Sequence, residues 1–160
     1  MALRIDRGQV LLETGLAATD LLVADGVIVG LGAAGAAARR FDATGLLVLP
    51  GIVDLHGDAF ERQMQPRPGV GFPVDLALAD TEAQLLANGI TTAFHAVTLS
   101  WEPGLRSPEA WSALVDAVAA RIEGKRADLV LIHADSGAVV ATVAAGQVAH
   151  LGAGGWARVS

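Results

Sequence analysis

Cysteine and tyrosine are absent from this 160-residue chain, and three Trp and four Phe supply all of its aromatic rings. Without cysteine there is no disulfide, no thiolate zinc site and no cysteine nucleophile, so any metal must be held by His and carboxylate groups. The same absence fits a reducing, cytoplasmic setting. With so few aromatics, the core falls to Leu, Val, Ile and Ala, which suit sheets and alanine-rich helices. Positive charge is scarce as well: 11 Lys and Arg stand against 17 Asp and Glu, for a formal net charge of -6. That balance gives no electrostatic footprint for nucleic acid or anionic lipid and points to a small-molecule partner. Arg4, Asp6 and Arg7 stand where an export signal would carry its apolar stretch, so no signal is expected. Residues 136–157 lack charge over a length that spans a bilayer, yet glycines, Gln147 and His150 interrupt them, and they read as strands and turns.

What is present is apolar residues, 52% of the chain, enough for a packed core. Asp20 to Leu31 hold two β-prone runs around Asp25-Gly26, the dipeptide preferred in tight hairpin turns. Arg39 to Asp42 and Leu46 to Leu49 read as short strands, so the first fifty or so residues are expected to be all-β. After Pro50-Gly51, the apolar run Ile52 to Leu55 ends in His56-Gly57-Asp58. A helix is expected over 74–88, with Leu76, Ala79, Ala83 and Leu86 on its apolar face and Gly89 as its C-terminal stop. A strand over Ile90 to Val97 follows, then a second helix from Ser107-Pro108-Glu109 to Gly124. This β-α-β-α order argues for parallel strands with crossover helices. Beyond Arg126 the pattern returns to strands: Asp128 to Ile132, Ala138 to Ala144 and Gln147 to Leu151.

Two motifs bear on chemistry. Gly30-Leu-Gly32-Ala-Ala-Gly35 matches the glycine fingerprint of dinucleotide-binding folds, which would make this a nucleotide-binding domain. Against it, the preceding strand is already half of a hairpin, and only a very short helix fits before the next strand. The second motif is His56-Gly57-Asp58. Side chains two apart in a strand share a face, so an imidazole and a carboxylate aim at one ion. The same spacing also suits an ordinary strand-ending turn. A divalent cation so held polarises a substrate oxygen and acidifies its bound water.

The stretch Leu49-Pro-Gly-Ile-Val-Asp-Leu-His56-Gly-Asp58 resembles the first barrel strand of the amidohydrolase superfamily. Its continuation from Ala59 to Val70, together with Asn88 to His95 and Trp101 to Ser107, resembles the phosphonate-metabolism branch, the ribose methylphosphonate triphosphate diphosphatases. The head of the chain resembles that family's small β-sandwich, and Arg126 to Ile132 with Val140 to Gly146 resembles the segment that returns to complete it. The resemblance implies an α/β fold. Residues 1–50 and 125–160 would form the sandwich, and 51–124 the first two βα units of a (β/α)8 barrel whose site lies at the C-terminal strand ends. It implies a metal-dependent hydrolase that releases pyrophosphate from a phosphorylated ribose, with His56 and Asp58 as ligands of a divalent metal, zinc first. His95 would stand at the mouth of the second strand as a substrate-binding candidate.

Arginine's planar fork matches phosphate oxygens, which makes Arg62, Arg67 and Arg106 candidates for substrate binding, with surface ion pairing as the other use of such residues. A complete barrel takes about 250 residues, whereas this chain has room for two βα units. The ligands that the family draws from later strands have no matching positions, so little or no activity is expected. Two parallel strands also leave open edges and an uncovered apolar face, which invite a second copy. The alternative is a non-catalytic β-sandwich module for assembly or partner binding.

Overall fold

The structure, a computed structural model, describes residues 2–32, 35, 37, 39–57, 59–95, 109, 112–113, 115–116, 127–144 and 147–160. It is mixed α/β and mostly sheet, and it divides into two compact units. The first comprises Met1–Val53, Leu86–Thr92 and Arg126–Ser160, the second Asp54–Leu85 and Ala93–Lys125.

The first unit is built on β1 (Ala2–Leu12), β2 (Gly15–Ala24), β3 (Val27–Leu31), β4 (Arg39–Asp42) and β5 (Leu46–Pro50) from the head, and β8 (Ala127–His133), β9 (Val139–Ala144) and β10 (Gln147–Leu151) from the tail. One sheet runs β10-β9-β8-β5-β1-β2-β3, with β4 also on β1. The expected hairpin is there: Asp25 (φ 49°) and Gly26 (φ 78°) both take the left-handed conformation that its turn demands. Head and tail join where β5 and β8 pair antiparallel, Leu46 opposite His133 through Pro50 opposite Leu129.

β1 is the strand that organises this unit. One edge pairs with β2, while the other is shared between β4 at Leu3–Asp6 and β5 at Gln9–Val10, both parallel. Its inward residues Leu3, Ile5 and Val10 meet Leu21, Val23, Phe41, Leu46, Val48, Leu129, Leu131 and Val143 in one core. The charges in β1 are answered by a network. Asp6 takes Arg4 on one oxygen and Arg40 on the other, and Asp20 accepts from Arg4 at 2.7 Å and from the Arg7 backbone N–H at 2.8 Å. That N–H, ahead of the Arg4 guanidinium, holds the Asp20 carboxyl below its ordinary range. Asp42 is lowered chiefly by the Thr44 hydroxyl and backbone N–H, with Arg7 assisting. β9 is buried almost throughout, and the Thr142 hydroxyl donates to the Leu86 carbonyl at 2.7 Å.

The second unit holds α1 (Ala59–Met64) and most of α2 (Val74–Ala87), with Phe60, Met64, Val74, Ala77 and Leu78 packed together. The expected helix is present and stops at Gly89 (φ 75°), but its buried face differs from the expected one. Leu76, Ala79 and Ala83 are exposed, whereas Ala77, Leu78 and Thr81 are buried. Apolar residues occur on more than one side of α2, so spacing alone does not select a face. Thr81 is free to be buried because its hydroxyl donates to the Ala77 carbonyl at 2.8 Å. Of the second expected helix, residues 109, 112–113 and 115–116 are helical, and the remainder lies outside the described residues. No helix among the described residues is long and apolar enough to cross a membrane. The uncharged segment of the tail forms β9, β10 and a short 3-10 turn at Trp156–Arg158.

Candidate functional site

β6 (Ile52–Gly57) and β7 (Ile90–His95) form a two-stranded sheet. Gly51 meets Thr91 near their starts and Gly57 meets His95 at their finishes, so the strands run the same way. The start is tight, because a Cβ on Gly51 would overlap the Thr91 side chain. Beside it, the Ile52 N–H donates to the Gly89 carbonyl at 3.0 Å. This close approach ties the two strands together behind the site.

At the finishing end, His56 is exposed and its backbone N–H donates to Asp54 Oδ1 at 3.1 Å. Asp54 is half-buried, and its Oδ2 lies 3.1 Å from where a Cβ on Gly57 would stand; His95 Nδ1 lies 3.6 Å from that same point. The His95 ring meets Phe60 edge-on, with centroids 5.1 Å apart at 80°. His95 Nδ1 is buried and has no hydrogen-bond partner among the described groups. The structure thus brings His95 to the strand end that carries His56, and it adds two residues that motif reading passed over. Asp54 was detectable, since it stands two before His56 and shares its face of the strand. Gly57 gave no signal, because its role lies in the space it leaves.

The other candidates fare differently. Asp58 and Arg106 lie outside the described residues. Arg62 is exposed on α1, and Arg67 is exposed in the Arg67-Pro68-Gly69-Val70 turn, closed by the Val70 N–H on the Arg67 carbonyl at 3.1 Å. Among the described residues no group of three His, Cys, Asp or Glu converges to hold a metal ion. Of the two expected metal ligands, His56 alone, an exposed imidazole, is among the described residues. A cavity of ≈ 330 Å³ is lined by Gln63, Pro66, Phe72, Leu76, Ala77 and Asp80. It is mainly apolar and has no cation, which suits neither phosphate nor metal.

The glycine fingerprint does not form a dinucleotide site. Gly30 pairs with Leu22 inside the β2–β3 hairpin, and among the described residues no helix follows before β4. Without a helix N-terminus among the described residues, Gly30 and Gly32 offer no cradle for a pyrophosphate.

No protein-family model matches the chain. It is 36% identical over 61 residues to alpha-D-ribose 1-methylphosphonate 5-triphosphate diphosphatase of Escherichia coli, covering 38% of this chain and 16% of that protein. It is also 36% identical over 99 residues to an allantoinase of Enterococcus faecalis, covering 62% of this chain and 20% of that protein. The chain therefore spans a fifth or less of the curated relatives it matches. Among solved structures, molinate hydrolase is similar in fold, with a TM-score of 0.53 and 20% identity over 75% of this chain and 27% of that one.

Proposed function

We propose, from the premise that this chain is a short member of the amidohydrolase superfamily, that it derives from a hydrolase of the phosphonate-metabolism branch. The reaction is hydrolysis of a phosphoanhydride, with pyrophosphate leaving a ribose triphosphate that bears a phosphonate. Members of the superfamily are generally metal-dependent, and by resemblance His56 and Asp58 are the first-strand ligands of a divalent ion, zinc first. Arg62, Arg67, Arg106 and His95 are the substrate-side residues in this reading. Residues 1–50 and 125–160 make a β-sandwich, and residues 51–124 the opening two βα units of the barrel. A cytoplasmic location fits the lack of cysteine.

The observation that carries the reading is the arrangement of β6 and β7. Two strands running the same way end together, with an exposed imidazole at His56 and a second imidazole at His95. Barrel enzymes collect their chemistry at such ends. The 160 residues alone do not turn over, because one wall of the site cannot make a catalytic centre. Calorimetric titration of the purified chain with Zn2+, followed by a pyrophosphate-release assay, tests both parts. Weak binding that disappears in His56→Ala, without turnover, is the expected result. Binding indifferent to His56 defeats the metal assignment, and robust turnover by a chain of confirmed mass defeats the inactivity.

A second reading has its own support. Leu55 and Phe94 are 76% and 58% exposed, on strands that a complete barrel would cover. A non-catalytic module whose open strands are covered by a second copy accounts for this. A stable oligomer by size analysis, together with no zinc binding, favours that reading over the hydrolase.

A further inference from the structure

His95 Nδ1 is buried without a hydrogen-bond partner among the described groups, a condition that costs a polar nitrogen about 1–3 kcal/mol. The Phe60 ring packs against the imidazole, near perpendicular to it at 80°. What faces Nδ1 is the open side of the Gly57 α-carbon, and Asp54 Oδ2 converges on the same point, 3.1 Å from it against 3.6 Å for the nitrogen. A Cβ at position 57 would crowd Oδ2 and touch Nδ1, so glycine leaves the space that both atoms face. The other Asp54 oxygen is committed to the His56 backbone N–H, so Oδ2 is the oxygen left to serve His95.

We infer that Asp54 is the acceptor for a proton on His95 Nδ1, in a hydrogen bond that passes over the α-carbon of Gly57. A carboxylate accepts only, so Nδ1 must carry the hydrogen. His95 is then the Nδ1–H tautomer, and its lone pair resides on Nε2. Second-nitrogen pairing with a carboxylate orients an imidazole and makes its free nitrogen a better acceptor or ligand. Asp54 becomes a positioning residue for both histidines: it holds His56 through the main chain and His95 through the ring. The pair is a property of the strand ends and stands whether the chain is a hydrolase or a module.

Long-range 1H–15N correlation spectra of the 15N-labelled chain, at a pH where the ring is neutral, read the tautomer directly. The expected spectrum shows a protonated, pyrrole-type Nδ1 and a bare Nε2 on His95, the reverse of what free histidine favours. Asp54→Ala should return His95 to the Nε2–H form. Asp54→Asn keeps a single oxygen, which the His56 N–H occupies, so its amide NH2 faces Nδ1 and should likewise shift His95 to the Nε2–H form. An Nε2–H tautomer in the unmodified chain overturns the inference without any variant. So does a folded Asp54→Ala chain whose His95 spectrum is unchanged.

Discussion

The two units of this chain bury apolar surface on different scales. In the sheet unit every strand but β3 and β10 sends at least one fully enclosed side chain into a common core, from Ile5 and Leu21 to Phe41, Leu131 and Val143. The helical unit encloses Phe60, Met64, Ala77 and Leu78 and leaves Leu55, Phe72, Leu76 and Phe94 exposed. The sheet unit also leaves large apolar residues exposed, among them Val29, Leu31 and Trp156, so the contrast lies in the size of the enclosed core. The larger core places more of the chain's stability in the sheet unit, whereas His56 and His95 belong to the helical unit.

Matched truncations are the strongest way to break that contrast. Phe41→Ala removes a ring with no exposure from a core that cannot collapse around the gap, so the chain should lose about 3–5 kcal/mol in chemical denaturation. Phe60→Ala deletes an equally buried ring from a smaller cluster. Its damage should stay local: hydrogen exchange should show α1 and α2 losing protection while β1 to β5 keep theirs. Equal loss in both units under Phe60→Ala would mean that they unfold as one.

Next in size is Gly51→Ala. The added methyl meets the Thr91 side chain at the start of the β6–β7 pair, and overpacking of this kind costs about 1–3 kcal/mol. If melting of Gly51→Ala matches the unmodified chain, the close approach is not what ties the strands. Thr91→Val probes the same place from the other side. The Thr91 hydroxyl is buried without a partner among the described residues, so its replacement by a methyl of similar shape should stabilise the chain by about 1 kcal/mol. Destabilisation by Thr91→Val would show that the hydroxyl has a partner in solution.

How much of this was legible depended on how local each signal is. Asp25-Gly26 needs only its own backbone conformation, and the hairpin followed from two letters. β1 was not individually recognisable, because Ala-Leu-Arg-Ile-Asp-Arg-Gly-Gln mixes charges into a buried strand, and the residues that neutralise them come from Asp20 and Arg40. The span of α2 was readable from composition and its terminal glycine, while its buried face depended on what packs there and on a threonine that satisfies itself. At the site, a motif of side chains announced His56. Asp54 was readable by its place two residues before His56, whereas Gly57 acts through an empty volume and leaves no trace in a pattern of residue types.

The smallest expected effect separates the units by acid. Asp20 and Asp42 both belong to the sheet unit, and hydrogen bonding holds both below the ordinary carboxyl value of 3.8. A carboxyl whose native value is depressed adds stability that is fully present above its unfolded value. That stability is lost as pH falls through the native one. The sheet unit should therefore loosen progressively as pH drops below about 4, and β1 and β2 should lose protection as it does. Asp20→Asn removes one titrating group and should flatten that loss while lowering stability near neutrality. The change is modest because both side chains are partly exposed and water screens them, Asp42 more than Asp20 at 39% against 20%. Salt at about 1 M should shrink the ionic part and leave the contributions of the Arg7 and Thr44 backbone N–H groups largely intact. An acid transition unchanged in Asp20→Asn would assign the sheet unit's acid sensitivity to other carboxyls.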